Sequence, residues 1–596
     1  MVGMERLEKV CQAMAEPAFY PHSVSRLERI DTHISVVFLT GEWVYKLKKP
    51  VDFGFLDFTA LDARRHFCEQ EVRLNQRLSK SIYEGVVEIR KSSTGRFSLA
   101  GEGEVEDYAV KMRQLPEESN LKVLCERQLI ERQFTERQIT ERQFLEQQLL
   151  GQQLLERQLL ERQPYDGGQC PSLTQAPTGI EELDLTDLGK EISRAHMEAL
   201  GRCLADFYAR SERSPEIDRF GDPEVIGFNM EENFRQMEPF VGDLVPRERW
   251  EFTRQVSRAF FKYWHDLFER RVPAGRIRDG HGDLRAEHIY FYEGIQIIDC
   301  IEFNERFRYG DVVADLAFLH MDLEHLGYPD LSQAFLASYV RRAADPQLYT
   351  LLDFYAAYRA VVKLKVNCLR LTEVEDPVER HEIRARALGY LQQAYRYALQ
   401  FSRPTLWIFC GLPATGKSTL ASKLADALSL SLFQSDRVRK ESEGIPLSKE
   451  MVVAYDEGIY RREMRNRVYA RMLALAQEQL KGGRSVILDA SFSKRKWREE
   501  ARQLASDLDT NFIAVECTGS EEAIRARLLE REHVSGVSDA RLQHLSAMIR
   551  DFEPLTETFP ETHLALSTDR PLEEAFLQLL SASYARRCIQ VRRVSQ

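Results

Sequence analysis

No window of this 596-residue sequence approaches 18 consecutive apolar residues, so no segment has the length and character of a membrane-spanning helix. The ten cysteines, scattered from Cys11 to Cys588, form no C-x-x-C pair and no cluster with histidine at zinc spacing. In a chain of this size that pattern reads as reduced, mostly buried thiols, and an intracellular protein is expected. A basic balance is missing too. The net charge of −11 argues against broad, sequence-independent binding to nucleic acid, which needs a positive field. The first residues, MVGMERLEKVCQAM, are charged early and lack the apolar core of a signal peptide. A cytoplasmic, membrane-free protein is the resulting expectation.

The composition present, 43% hydrophobic and 29% charged, is that of ordinary globular protein. Its length is too great for one core and suggests roughly three or four domains. The segment 121–170 stands apart. Glu-Arg-Gln returns every five residues, at Glu126, Glu131, Glu136 and Glu141, erodes at Glu146 and Gly151, and recurs at Glu156 and Glu161. Each five-residue step advances about 140° round a helix, so the intervening apolar pairs spiral instead of forming one stripe. Heptad pairing is disfavoured for the same reason. Good helix formers and the absence of proline before Pro164 favour a partly helical, solvated insertion. A protein-binding arm is the alternative.

Upstream, HISVVFLTGEWVYKLKKPVDFGFLDF (33–58) reads as two strands round Thr40-Gly41-Glu42, with Val44, Lys46 and Lys48 on one face. An amphipathic helix over 67–78 follows and carries Glu71. A strand lysine and a helix glutamate form the ion pair that holds α- and β-phosphates in protein kinases. Alternation does not separate Lys46 from Lys48. Further on, HGDLRAEHIYFYEGIQIIDCIEFN (281–304) sets Asp283 before a hairpin, 289–292 with 295–298, and Asp299 after it. Two carboxylates flanking one hairpin suit phosphoryl transfer: Asp283 takes the attacking hydroxyl's proton and Asp299 holds Mg²⁺.

Those motifs, with YAVKMRQLP (108–116) and RYGDVVADLAFL (308–319), resemble the aminoglycoside phosphotransferase-like branch of the protein-kinase fold, in the bacterial subgroup that continues into a P-loop kinase. The resemblance implies Asp283 as catalytic base, Asp299 as metal ligand, and Lys46 or Lys48 with Glu71 as the phosphate clamp. Asp311 and Asp315 match the pair that braces the catalytic loop. At the implied second metal-ligand position, usually Asn, this chain has His288, and neutral imidazole is a poor partner for Mg²⁺. By this reading either one metal suffices, or another oxygen substitutes, or the first half binds nucleotide without transferring phosphate.

RPTLWIFCGLPATGKSTLASKLADAL (403–428) runs an apolar strand into a glycine-rich loop and an amphipathic helix. The loop Gly411, Leu412, Pro413, Ala414, Thr415, Gly416, Lys417, Ser418 and Thr419 supplies backbone N–H groups for phosphates. Lys417 reaches the β/γ oxygens and Ser418 ligates Mg²⁺. Asp436 follows at a strand end, and SVILDASF (485–492) ends a strand in Asp489, placed like a carboxylate near the metal. Arg527 and Arg531 lie at i and i+4 on a helix and could close over the triphosphate; a salt-bridged solvated face is the plainer reading. This half resembles the P-loop kinases related to polynucleotide kinase, gluconate kinase, chloramphenicol phosphotransferase and zeta-type toxins. The resemblance implies Asp436 as the base that activates an acceptor hydroxyl, with Arg527 and Arg531 as lid residues.

The expected architecture is multidomain: an α+β bilobal protein-kinase-like domain, with lobes 1–120 and 171–400 interrupted by the insertion 121–170, then an α/β P-loop NTPase domain with a parallel sheet at 401–596. The expected activity is transfer of the ATP γ-phosphate, with Mg²⁺, to a small-molecule hydroxyl. Two alternatives stand beside it. In one, a pseudokinase-like first half senses nucleotide and controls the second. In the other, the acceptor is an RNA end, which requires basic and aromatic residues round the P-loop cleft. Arg495, Lys496 and Trp497 are the only such hint, and a structural Trp on a helix accounts for them more simply.

Overall fold

A computed structural model of the chain describes residues 2–595 except 55, 100, 133–190, 429, 447–456, 532–540 and 557–560. It forms two compact units. The first is Met1–Met197, Leu284–Asn304 and Asp322–Pro329; the second is Glu198–Asp283, Glu305–Met321 and Asp330–Gln596. No described helix is long and apolar enough to cross a membrane.

The first unit is built on an antiparallel sheet of β1 (Glu28–Asp31), β2 (Ser35–Leu39), β3 (Trp43–Lys48), β4 (Tyr83–Lys91), β5 (Phe97–Ser98) and β6 (Glu104–Arg113), in the order β1-β2-β3-β6-β4-β5. The β2–β3 hairpin closes at Gly41, whose φ of +96° suits glycine. Alternation along β3 divides its side chains between two environments. Tyr45 and Leu47 join Val36, Phe38, Val10 and Met14 in an apolar core, leaving Lys46 and Lys48 together on the opposite face.

The helix carrying Glu71 is Leu61–Asn75, displaced toward the N-terminus from the 67–78 expected. Its first turn hid from the apolar pattern because an inward position is held by a charge. Buried Arg64 donates to Asp107 at 2.9 Å and to the carbonyls of Phe58 and Thr59. The later hairpin pairs β8 (Ile289–Phe291) with β9 (Ile295–Ile297), each strand one residue shorter at its C-terminal end than expected. Residues 121–132, which open the segment set apart as an insertion, are helical and bury Leu121, Leu124 and Cys125. The rest of the repeat, with the proposed partner-binding arm, lies outside the described residues.

The second unit combines helices, a short pair β7 (Ile277–Asp279) with β10 (Tyr309–Asp311), and a five-stranded parallel sheet. That sheet comprises β11 (Thr405–Cys410), β12 (Ser431–Gln434), β13 (Val486–Asp489), β14 (Asn511–Thr518) and β15 (His563–Ser567), in the order β12-β13-β11-β14-β15. Every residue of central β11 is buried, as a strand covered on both faces must be. The expected multidomain chain with a parallel-sheet P-loop domain is therefore observed.

One buried ion network pins the helical part of this unit. Arg271, 1% exposed, is bidentate to Asp311 (2.7 and 2.8 Å) and to Asp345 (2.5 and 2.9 Å). Substituting Arg271→Met would leave two buried carboxylates without their main countercharge, at a cost of about 3–5 kcal/mol. Denaturant unfolding of the variant should show a destabilisation of that size; a loss under about 1 kcal/mol would contradict it.

Candidate functional site

In the first unit five of the expected residues converge. Lys46 Nζ lies 2.6 Å from Asp299 Oδ1 and 2.9 Å from Glu71 Oε1, while Lys48 Nζ lies 2.8 Å from Glu71 Oε2 and also contacts Glu302. Glu71 thus bridges both lysines, which explains why alternation could not choose between them. Exposure distinguishes them: the Lys48 side chain is fully buried, whereas half-buried Lys46 reaches the partly open Asp299 carboxylate. Asp299 sits at φ +64°, a left-handed conformation uncommon for a non-glycine residue. Its N–H donates to Tyr83 Oη at 3.3 Å, and the next N–H, of Cys300, donates to buried Asn75 at 2.9 Å. His288 Nε2 stands 3.5 Å from Asp299 Oδ2.

Burial works against ionisation of Glu71, but Lys46 and then Lys48 outweigh it and hold the carboxyl below its ordinary range. Burial pushes the Glu302 carboxyl up, against the pull of Lys48. A carboxylate with a depressed folded pKa adds stability that is present above its unfolded value, about 4.3, and is lost as pH falls through the folded one. At pH 7, Glu71→Gln should reduce the opening free energy of β3 amides in hydrogen exchange by about 3 kcal/mol. The gap from wild type should narrow as pH falls below the unfolded value and through the depressed folded value of Glu71. A gap independent of pH would assign the loss to packing.

Asp283 belongs to the second unit, in the loop after β7. There Asp315 accepts the N–H groups of His281 (2.7 Å) and Gly282 (3.0 Å), and Tyr208 and Arg359 approach the same carboxylate at 3.2 and 3.5 Å. Gly280 is required by this packing, since a Cβ there would lie 2.5 Å from Asp315 Oδ2. The bracing role expected of Asp315 has a geometric basis; Asp311 instead holds Arg271.

The P-loop follows β11. Gly411, at φ +133°, lies where a Cβ would meet the Cys517 carbonyl oxygen at 2.4 Å, so only glycine lets the chain turn beside β14. The helix Lys417–Leu428 starts directly from this loop, with Lys417 Nζ donating to the Leu412 carbonyl at 2.5 Å. Ser418 lies beside Asp489 at the end of β13, and Gln434 donates to the same carboxylate at 3.2 Å. Burial pushes the Asp489 carboxyl up, Ser418 and Lys417 pull it back, and the nearby charge of Asp436 adds to the rise. Asp436, in the first turn of the helix Ser435–Ser442, contacts Arg439, whose guanidinium lies 4.4 Å from the Tyr460 ring centre.

Arg527 reaches the loop, donating to the Ala414 carbonyl (3.2 Å) and the Thr568 carbonyl (2.7 Å). The Arg531 side chain lies outside the described residues. A hydroxyl and a carboxylate at Ser418 and Asp489 are oxygen donors suited to Mg²⁺, whereas Asp299 faces an imidazole and a lysine. Trp497 is buried and stacks on Tyr469 at 4.9 Å, so its ring is no platform for a base. Sequence reasoning missed Glu302, Gln434 and Thr568. Glu302 stood in the quoted IIDCIEFN; the other two carried no pattern of their own.

Residues 406–555 match the family model described as an AAA domain. Uncharacterized proteins of Mycobacterium bovis and of Mycobacterium tuberculosis strain H37Rv are each 28% identical to this chain over 519 residues, spanning 87% of it and 88% of theirs. Among solved structures, a gluconokinase from Sinorhizobium meliloti is 20% identical over 32% of this chain and 94% of its own (TM-score 0.22). The Mycobacterium tuberculosis APS kinase CysC, in complex with AMPPNP and APS, is 19% identical over 30% and 97% (TM-score 0.22). A choline/ethanolamine kinase family protein from Mesorhizobium loti is 10% identical over 65% and 98% (TM-score 0.32). The chain thus carries a P-loop domain in its C-terminal part and is similar along most of its length to mycobacterial proteins of comparable length.

Proposed function

We propose that the protein is an ATP-dependent phosphotransferase whose P-loop domain transfers the γ-phosphate to a hydroxyl of a small molecule. The observation that carries this reading is the juxtaposition of Lys417, Ser418, Asp489 and Asp436 at the ends of adjacent parallel strands. The loop N–H groups and Lys417 bind the phosphates. Asp436 holds the acceptor hydroxyl and takes its proton as it attacks in line. Mg²⁺ on Ser418 and Asp489 would neutralise charge on the transferring group. Beside the loop, a cavity of about 450 Å³ lined by Ala414, Thr419, Arg527 and Thr568 has room for the nucleotide base. Arg527 stabilises the loop by its hold on Ala414, and Arg531 lies one helical turn further on.

The first half, in this reading, is a bilobal kinase-like module, with Lys46 and Glu71 as its phosphate clamp, Asp283 as base and Asp299 as metal ligand. Its lobes are 1–120 and 171–400, and the P-loop domain is 401–596. A second reading, favoured by the approach of His288 to Asp299, makes this half a nucleotide sensor that controls the P-loop domain.

Transfer of label from [γ-³²P]ATP to a panel of sugars, nucleosides and amino alcohols, with a 5′-hydroxyl RNA oligonucleotide alongside, tests the acceptor class. Label is expected in a small molecule and absent with Asp436→Asn. Label confined to the RNA would overturn the small-molecule assignment.

A further inference from the structure

Within the second unit, a cavity of about 370 Å³ opens at the end of β11 remote from the phosphate loop. That volume lies in the range of small-molecule sites. Phe260, Tyr349 and Phe401 come to it from the helical part of the unit, and Trp407, Leu424 and Leu428 from the P-loop domain.

Its charge is one-sided. Arg403, Arg484 and Arg587 line it, and no carboxylate does. Arg403 has a countercharge in Asp509, 3.0 Å away, whose side chain is 81% exposed. Arg587 donates to the Gln400 carbonyl at 3.2 Å, and neither it nor Arg484 forms an ion pair among the described residues.

The wall also holds unmatched donors. Trp407 Nε1, Ser583 Oγ and the Nε atoms of Arg403 and Arg587 are buried without a hydrogen-bond partner among the described residues. Native interiors seldom leave such groups unpaired, and four of them round one arginine-lined cavity call for acceptor oxygens. Aromatic and aliphatic walls call at the same time for an apolar body.

We propose that this cavity binds a small amphiphilic anion, a carboxylate or phosphate monoester carried on a compact apolar group. Arginine suits either head, since its planar fork pairs with both oxyanions. The occupant would touch Trp407, four residues before Gly411, and the far end of the helix that begins at Lys417. The site is separate from the phosphate loop and does not depend on the acceptor proposed above.

The test uses the full chain with saturating ADP, so that dye bound at nucleotide sites is displaced. Anilinonaphthalene sulfonate, an aromatic body bearing an anionic head, is titrated by fluorescence and then competed with octanoate, octyl phosphate and octylamine. One saturable site is expected, displaced by an anionic competitor and not by octylamine. Octanoate acting at lower concentration than octyl phosphate, or the reverse, distinguishes the two head groups.

Trp407→Phe, which keeps ring bulk and removes the N–H, and Arg587→Met should each weaken dye binding about tenfold, the effect of one charge-assisted hydrogen bond. Arg484→Met, at an exposed position, serves if either core variant fails to fold. Trp497→Phe, remote in its stack on Tyr469, should bind as wild type does. Absence of saturable binding, equal displacement by octylamine, or unchanged affinity in all the cavity variants overturns the proposal.

Discussion

Replacing Lys417 with alanine is expected to lower ATP turnover by about 10³-fold, the scale of losing one preorganised charge from a phosphoryl-transfer site. The change should leave the fold intact. Lys417 donates to the Leu412 carbonyl and approaches Thr415 at 3.4 Å, and buried Asp489, which loses the pull of its charge, keeps Ser418 beside it and the hydrogen bond from Gln434. The diagnostic comparison is with Asp283→Ala. If both substitutions lower turnover in part, each half of the chain transfers phosphate, and His288 beside Asp299 is no obstacle. If Lys417→Ala removes all turnover and Asp283→Ala none, the first half is a sensor and the second reading replaces the first there. Full activity in Lys417→Ala would overturn the assignment of chemistry to the P-loop.

Asp436→Asn carries the other large expected effect, a fall in kcat of about 10²–10⁴-fold with the affinity for ATP unchanged. The asymmetry follows from placement. Asp436 opens the helix after β12, whereas the phosphates belong to the loop after β11. The substitution also removes a partner of buried Arg439, so a positioning effect must be told apart from loss of a base. Two readouts do this. Arg439→Gln should reproduce any loss caused by misplacing the helix, yet leave most of kcat if Asp436 is the base. In addition, the Asp436 charge helps to hold the Asp489 carboxyl above its ordinary range, so neutralising it should let Asp489 ionise at lower pH. A limb of the pH–rate profile governed by Asp489 would then move toward acid. A change in ATP affinity with kcat preserved would contradict the role given to Asp436.

The P-loop domain was legible because its signals are local. Strand, glycine loop and helix are contiguous from Thr405 to Leu428, and the turn at Gly411 permits no other residue. Period-2 alternation likewise placed Lys46 and Lys48 on one face of β3, since a strand's side chains have no other choice. The helix Leu61–Asn75 begins before its apolar pattern does, because a hydrophobic pattern cannot register an inward arginine. Arg64 occupies the core face only through its pairing with Asp107 on another element.

Sequence by itself thus determined the phosphate loop, the parallel-sheet domain around it and the set of lysines and carboxylates available to the first half. Tertiary structure decided how those charges pair. Lys46 meets Asp299 across 253 positions of sequence, and Lys48 meets Glu302 across 254. Likewise Arg527 grips Ala414 across 113. Partners this far apart share no periodicity or motif. They are brought together when the burial of apolar faces packs the sheets and helices, and a buried charge settles on whichever opposite charge that packing supplies.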